Sequence, residues 1–184
     1  MRIVAGKLKG RRFQPPKNIP ARPTTDFAKE GLFNILTNHF DLEDVSFLDL
    51  FAGTGSLSYE MASRGSSDIV SVEKDGRSAA FIKKSAEEFH LNINVMQLDV
   101  FQYLRNTKRK FDIIFAGPPY ALENLAELPN EIFELQLLAT NGWFILEHNP
   151  HHNFDLHLNF KNKRNYGSTI FSIFENKNLS ATDS

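Results

Sequence analysis

Three acids and one proline loop stand out by type and spacing. Asp49 follows Phe47-Leu48 and precedes Leu50-Phe51-Ala52-Gly53-Thr54-Gly55. Glu73 closes a second apolar run and falls 20 residues after Gly53; Asp99 closes a third run, and Gly117-Pro118-Pro119-Tyr120 closes a fourth. A carboxylate accepts hydrogen bonds and pairs with cations. An acid about 20 residues beyond a glycine turn takes ribose hydroxyls in nucleotide-binding sheets. Asp99 can accept from an exocyclic amine while Val100 and Phe101 cover a flat ring. Pro118 and Pro119 stiffen the backbone and offer no N–H, so that carbonyls can face a ligand. Tyr120 adds a flat face for a base. Together these groups suit a nucleobase amine, whose lone pair is delocalised into its ring. Such an amine needs acceptors on its protons before it can attack.

Gly53 and Gly55 let a ligand approach the backbone with no Cβ in the way. Ser56 is the expected helix N-cap, with Glu60 in the early helix. A dinucleotide fingerprint would read G-x-G-x-x-G/A, and Ser58 leaves it incomplete. An acid ahead of G-x-G suits S-adenosylmethionine (SAM) instead. That cofactor carries an ammonium and a sulfonium, and no phosphate for a helix N-terminus. Any one of the acids is more often a helix cap than a ligand, and a lone P-P-Y is more often a stiff turn. Three acids ending successive strands favour a site.

The elements that must position these groups follow from the pattern. A helix is predicted over 25–38, capped by Thr24 or Thr25, with Phe27, Gly31, Leu32, Ile35 and Leu36 as its apolar stripe. Strands are predicted at 45–50, 68–72, 93–98, 111–116 and 143–147. Helices are predicted near 56–64, 76–89, 100–106 and 123–138, the last broken or entered at Pro129. Segments 157–164 and 168–174 bracket Tyr166-Gly167 as a terminal hairpin. Alternating strands and helices give an α/β fold, a doubly wound and mostly parallel sheet. Its carboxyl ends share one edge, so the acids converge on one crevice.

The 184 residues predict a single domain over 1–175, with a basic arm at 1–23, a core at 24–175 and a disordered tail at 176–184. Net charge is −1, yet the arm holds seven bases (Arg2, Lys7, Lys9, Arg11, Arg12, Lys17, Arg22) and no acid. The other 161 residues hold 14 bases against 22 acids. A basic arm on an acidic body points to a polyanion partner, and a solvated tail is the bland reading. There are no cysteines, so disulfides and thiolate metal sites are excluded. No run reaches the roughly 18 apolar residues of a membrane span, and the first residues lack a signal-peptide core. The expectation is a cytoplasmic monomer without metal. His148, His151, His152 and His157 match no ligand spacing and read as a polar surface loop. Trp143 reads as core.

Taken together, these motifs resemble the class I SAM-dependent methyltransferases, and more narrowly the RsmD family, which methylates N2 of a guanine in 16S ribosomal RNA. The resemblance runs from Arg2 to about Glu175. It is carried by Arg2-Ile3-Val4-Ala5-Gly6-Lys7 with Gly10-Arg11, and by Arg22-Pro23-Thr24-Thr25-Asp26 with Lys29-Glu30 and Leu32-Phe33-Asn34. Leu48–Gly55 and the P-P-Y loop complete it. It implies a seven-stranded Rossmann-like sheet. It implies that Thr24, Asp49, Phe51, Gly53, Gly55, Glu73, Asp99 and Val100 border SAM, and that Gly117, Pro118, Pro119 and Tyr120 present the guanine. Arg2, Lys7, Arg11, Arg12 and Arg22 would meet 16S ribosomal RNA or a small-subunit assembly intermediate. One position departs. The family loop begins with an acid where this chain has Gly117, so a backbone carbonyl is expected to stand in. Two alternatives stay open: an adenine-N6 methyltransferase, and a non-catalytic SAM- or RNA-binding homologue.

Overall fold

The computed structural model describes residues 1–19 and 24–177. Arg22, an expected RNA contact, and most of the expected tail lie outside the described residues. Asn176, expected in that tail, belongs to the fold. Its backbone exchanges hydrogen bonds with Asn141 and Gly142, and its amide reaches the Leu138 and Ala139 carbonyls.

In chain order the elements are α1 (Asp26–Thr37), β1 (Ser46–Leu50), α2 (Ser56–Ser63), β2 (Asp68–Val72), α3 (Gly76–Glu88), β3 (Ile93–Met96) and α4 (Val100–Asn106). Then come β4 (Phe111–Ala116), a 3-10 turn at Leu125–Glu127, α5 (Leu128–Glu134), β5 (Leu138–His148), β6 (Phe160–Tyr166) and β7 (Thr169–Glu175). They form one seven-stranded sheet in the order β3-β2-β1-β4-β5-β7-β6. The first five strands of that order run parallel, and β7 pairs antiparallel with both β5 and β6. Consecutive strands leave β1 in opposite directions, so β1 and β4 flank a topological switch point. Open α/β sheets bind ligands there, beyond the carboxyl ends.

The period of two along each strand divides the core into two layers. Phe47, Ile69, Ile113, Trp143 and Ile145 pack with α1, α2, α3 and the arm. Leu48, Val70, Ile114, Phe144 and Leu146 pack with α4 and α5. Helix α1 is capped by Thr25, whose hydroxyl accepts from the Ala28 N–H. It lies close to the β6–β7 hairpin: a Cβ on Gly31 would stand 2.2 Å from the Tyr166 ring. Only glycine permits that approach.

The arm is packed against the body. Ile3 and Phe13 are core residues, and Phe13 stacks on Tyr59 with ring centroids 4.3 Å apart. The arm folds back on itself through an antiparallel bridge between Arg2 and Arg12, with the Ile3 N–H donating to the Arg11 carbonyl and the Phe13 N–H to the Met1 carbonyl. Fully buried Glu60 accepts the Val4 and Ala5 N–H groups at 2.9 and 3.0 Å. Its carboxylate also pairs with Arg64 at 2.9 Å and with buried Lys29 at 3.8 Å.

Two local expectations are corrected. Gly55, at φ +81°, is the N-cap of α2, and Ser56 is the first helical residue. A Cβ on Gly55 would press on Tyr59 and Ile82 at 3.0 Å, so helix entry and internal packing both require the glycine. The histidines are not one surface loop. His148 is buried at the end of β5, bonded to Ser172 and the Asn149 carbonyl, and burial lowers its pKa.

Candidate functional site

The loops after β1, β2, β3 and β4 open on the switch-point edge. Asp49 and Ser71 are register partners on β1 and β2, facing the α2 layer. There the Ser58 hydroxyl donates to Asp49 Oδ2 at 2.6 Å and shares a 2.6 Å hydrogen bond with the Ser71 hydroxyl. Ser58, the residue that spoiled the dinucleotide fingerprint, is thus the partner of the acid before the loop. Asp49 is 2% exposed. Burial raises its carboxyl to about 7, the Ser58 hydrogen bonds oppose the rise, and the charge of Glu73 adds to it.

Glu73 braces the glycine loop. Its Oε2 accepts the Gly53 N–H at 2.8 Å and its Oε1 accepts the Asp75 N–H at 2.8 Å. Those two donors fix the carboxylate on the rim between the first two loops. Phe51 adopts φ +59°, an unusual conformation for a bulky residue, as the chain turns out of β1. Its ring meets Phe101 edge-on at 6.3 Å, and both are partly exposed. Asp99 is exposed and caps α4 through the Gln102 N–H at 3.1 Å. Val100 lies in the core layer, so the flat apolar wall here is Phe51 with Phe101.

At the β4 loop, Pro118 is buried, Pro119 is exposed and Tyr120 is half-buried. The Tyr120 hydroxyl reaches Glu147 Oε1 at 3.3 Å, and Thr24 Oγ1 donates to Glu147 Oε2 at 2.8 Å. Thr24, Gly117 and Tyr120 therefore converge on an acid that sequence reasoning passed over. The missed signal was simple: Glu147 closes the fifth predicted strand as Asp49, Glu73 and Asp99 close or follow the others.

The basic side chains form a separate surface. Arg2 pairs with Asp26 at 3.5 Å. Lys7, Arg11 and Arg12 are exposed, and the Arg11 guanidinium lies 5.6 Å from the Phe89 ring centre. Between arm and α3 runs a groove of about 490 Å³ lined by Arg12, Arg77, Lys84, Phe81 and Phe89, with Glu88 at its edge. Cations beside aromatic faces suit a polyanion that carries bases.

The donor set fits SAM. A carboxylate before the loop suits an ammonium, the rim carboxylate of Glu73 suits a diol, and the Phe51–Phe101 wall suits an adenine face. Among the described residues no cluster of three metal-ligating side chains occurs.

Known proteins share both sequence and fold. The family described as Conserved hypothetical protein 95 matches residues 1–175. Ribosomal RNA small subunit methyltransferase D of Buchnera aphidicola (subsp. Acyrthosiphon pisum) is 36% identical over 148 residues, 79% of this chain and 76% of that protein. The protein of that name from Escherichia coli K12 is 33% identical over 144 residues, 78% of this chain and 69% of its own. A hypothetical protein of Thermus thermophilus superposes with TM-score 0.84 at 30% identity, over 95% of this chain and 99% of that one. The T. thermophilus 16S rRNA N2 G1207 methyltransferase, solved with AdoMet and guanosine, shares the fold at TM-score 0.70 and 23% identity. That match covers 95% of this chain and 49% of that one. By fold the chain is a class I methyltransferase, and by sequence it belongs to the Conserved hypothetical protein 95 family, the RsmD family of SAM-dependent ribosomal RNA methyltransferases.

Proposed function

We propose that this chain transfers a methyl group from SAM to the exocyclic N2 of a guanine in 16S ribosomal RNA, within a small-subunit assembly intermediate. One observation carries the reading. The glycine loop with Asp49 and Glu73, and the proline loop with Tyr120, flank the same switch point between β1 and β4. Residues 1–175 act as one unit, because the arm shares the core of the catalytic sheet. Such a substrate locates the protein in the cytoplasm.

When bound, SAM supplies a methyl on a positive sulfur. The chain supplies alignment. Asp49 would balance the ammonium, Glu73 would accept from the ribose hydroxyls, and Phe51 with Phe101 would cover one face of the adenine. Pro118 and Pro119 hold the target base rigidly after it leaves its stack. A Gly117 or Pro118 carbonyl would serve as an acceptor for its amine. No covalent intermediate is required, and preorganised acceptors account for the acceleration.

The test is methyl transfer to under-methylated small subunits, followed by mass spectrometry of the nucleosides. N2-methylguanosine is the expected product. N6-methyladenosine, or no methylated nucleoside, would overturn the reading.

Cofactor binding is expected to depend on pH through Asp49. The group titrates near 7 in the fold against an ordinary 3.8, so between those values the folded chain holds a proton that the unfolded chain lacks. Its contribution to stability therefore falls as pH rises across that window and is level above it. An ammonium prefers the carboxylate, so SAM affinity should weaken by up to about tenfold per unit from pH 7 toward pH 5. Asp49→Asn should remove the slope. A slope that persists in the Asn variant would clear Asp49 of the role.

RNA affinity is expected to fall with salt. If about four cations meet phosphates, log K against log salt should slope near −3. Replacing Lys7, Arg11 and Arg12 by Ala should flatten that slope by about 2 while leaving SAM affinity alone. Arg2 is excluded because its pairing with Asp26 is structural. An unchanged slope would make the arm a packing element only.

A further inference from the structure

Glu147 is the penultimate residue of β5, next to the one loop position that departs from the family pattern. It is 7% exposed. Its Oε2 lies 3.7 Å from the point where a Cβ on Gly117 would stand. Thr24 holds Oε2 from the entrance to α1, and Tyr120 holds Oε1 from the proline loop. The acid absent from position 117 thus has a counterpart on the neighbouring strand.

We propose that Glu147 is the carboxylate that reads the target base, selecting guanine over adenine in place of a loop acid at 117. The assignment rests on the guanine-N2 reading above. Guanine presents N1–H and N2–H side by side on one edge, and a carboxylate accepts both. Adenine presents an N6–H donor beside the N1 lone pair, which a carboxylate repels. The same contact pulls on an N2 proton, which favours attack by that nitrogen. In a site this buried the interaction is stronger than in water. The Thr24 and Tyr120 hydroxyls donate to this carboxylate and can give way to stronger donors. They hold the carboxylate's plane until N–H groups of the base arrive.

Gly117 and Glu147 form one arrangement. A Cβ at 117 would also stand 3.1 Å from the Phe115 ring. A second carboxylate there would face the Glu147 oxygen, and like charges so close disfavour ionisation of both.

A mutant cycle with native chain, Glu147→Gln, Gly117→Asp and the double variant tests this. Single-turnover methyl transfer to under-methylated small subunits is measured, with calorimetry of SAM and nucleoside mass spectrometry. Glu147→Gln should cut the rate at saturating SAM by about a hundredfold and leave SAM affinity within about twofold. It should also lower the ratio of methylated guanine to methylated adenine, because the amide no longer repels the adenine N1. Gly117→Asp alone should slow transfer. Adding Gly117→Asp to Glu147→Gln should recover about tenfold or more, which a merely structural glutamate would not allow. Glu147→Gln at the native rate with N2-methylguanosine as product would overturn the assignment and leave the proposed function standing. Rate loss matched by loss of SAM affinity would overturn it too. Native transfer to adenine would remove both.

Discussion

Glu60→Ala is expected to destabilise the fold by about 3–5 kcal/mol, because it leaves a buried cation with only the half-exposed Asp26 as its anion. Lys29 is 1% exposed, and burial already depresses its pKa against the charges of Glu60 and Asp26. The Val4 and Ala5 N–H groups would lose their acceptors in the same step. In a chain of this size the midpoint of thermal unfolding should fall by about 10 °C. Glu60→Gln keeps the shape and one acceptor oxygen, and should fall less. Trypsin gives an independent measure. Lys7, Lys9, Arg11 and Arg12 are cleavage sites held against the body, and the Ala variant should be cut there before the core is digested. A midpoint within about 2 °C of native would show that the arm is held by Ile3 and Phe13 alone.

Glu73→Ala is expected to raise the dissociation constant for SAM about a hundredfold, from two charge-assisted hydrogen bonds of about 1.5 kcal/mol each. A second loss adds to the first. The Gly53 N–H, now bonded to Glu73, would be unpaired and the glycine loop less defined. Glu73→Gln separates the two effects, since its amide oxygen can still brace Gly53 while the charge on the diol is gone. It should lie between the native and Ala values. Because the residue is at a loop rim and outside the core layers, the thermal midpoint of the free protein should barely move. Unchanged affinity by calorimetry would refute the ribose assignment.

Much of the fold was legible because sheet periodicity is local. The apolar runs placed β2, β4 and α4 to the residue. Elsewhere a distant partner decides the element. Strand β5 begins at Leu138, five residues before the apolar run that marks it. Ala139–Gly142 reads as a turn, yet Leu138 pairs with Phe111 across a bulge and Asn176 holds the polar stretch in place. The predicted helix over 123–138 shrinks to Leu128–Glu134. Asn124 caps a 3-10 turn instead, and Pro129 opens the helix. The site divides in the same way. Asp49 and Glu73 announce themselves at strand ends next to a glycine turn. Glu147 also closes a predicted strand, but its tie to Thr24, 123 residues away, and the gap beside Gly117 are properties of space. Glu60 looks like any early helical acid, because its donors are backbone groups that no side-chain motif encodes.

Lys29 has a further consequence. Its ammonium touches the Arg2 carbonyl in the arm and the Ser56 hydroxyl, one residue beyond the Gly55 turn. One buried side chain thus joins the basic arm to the start of the helix that the glycine loop feeds. A displacement of either end is transmitted to the other as a change in the same buried contact. Any coupling through it is reciprocal: whatever factor RNA applies to SAM affinity, SAM must apply to RNA affinity. Glu60 and Asp26, which hold that ammonium by charge, set the stiffness of the connection.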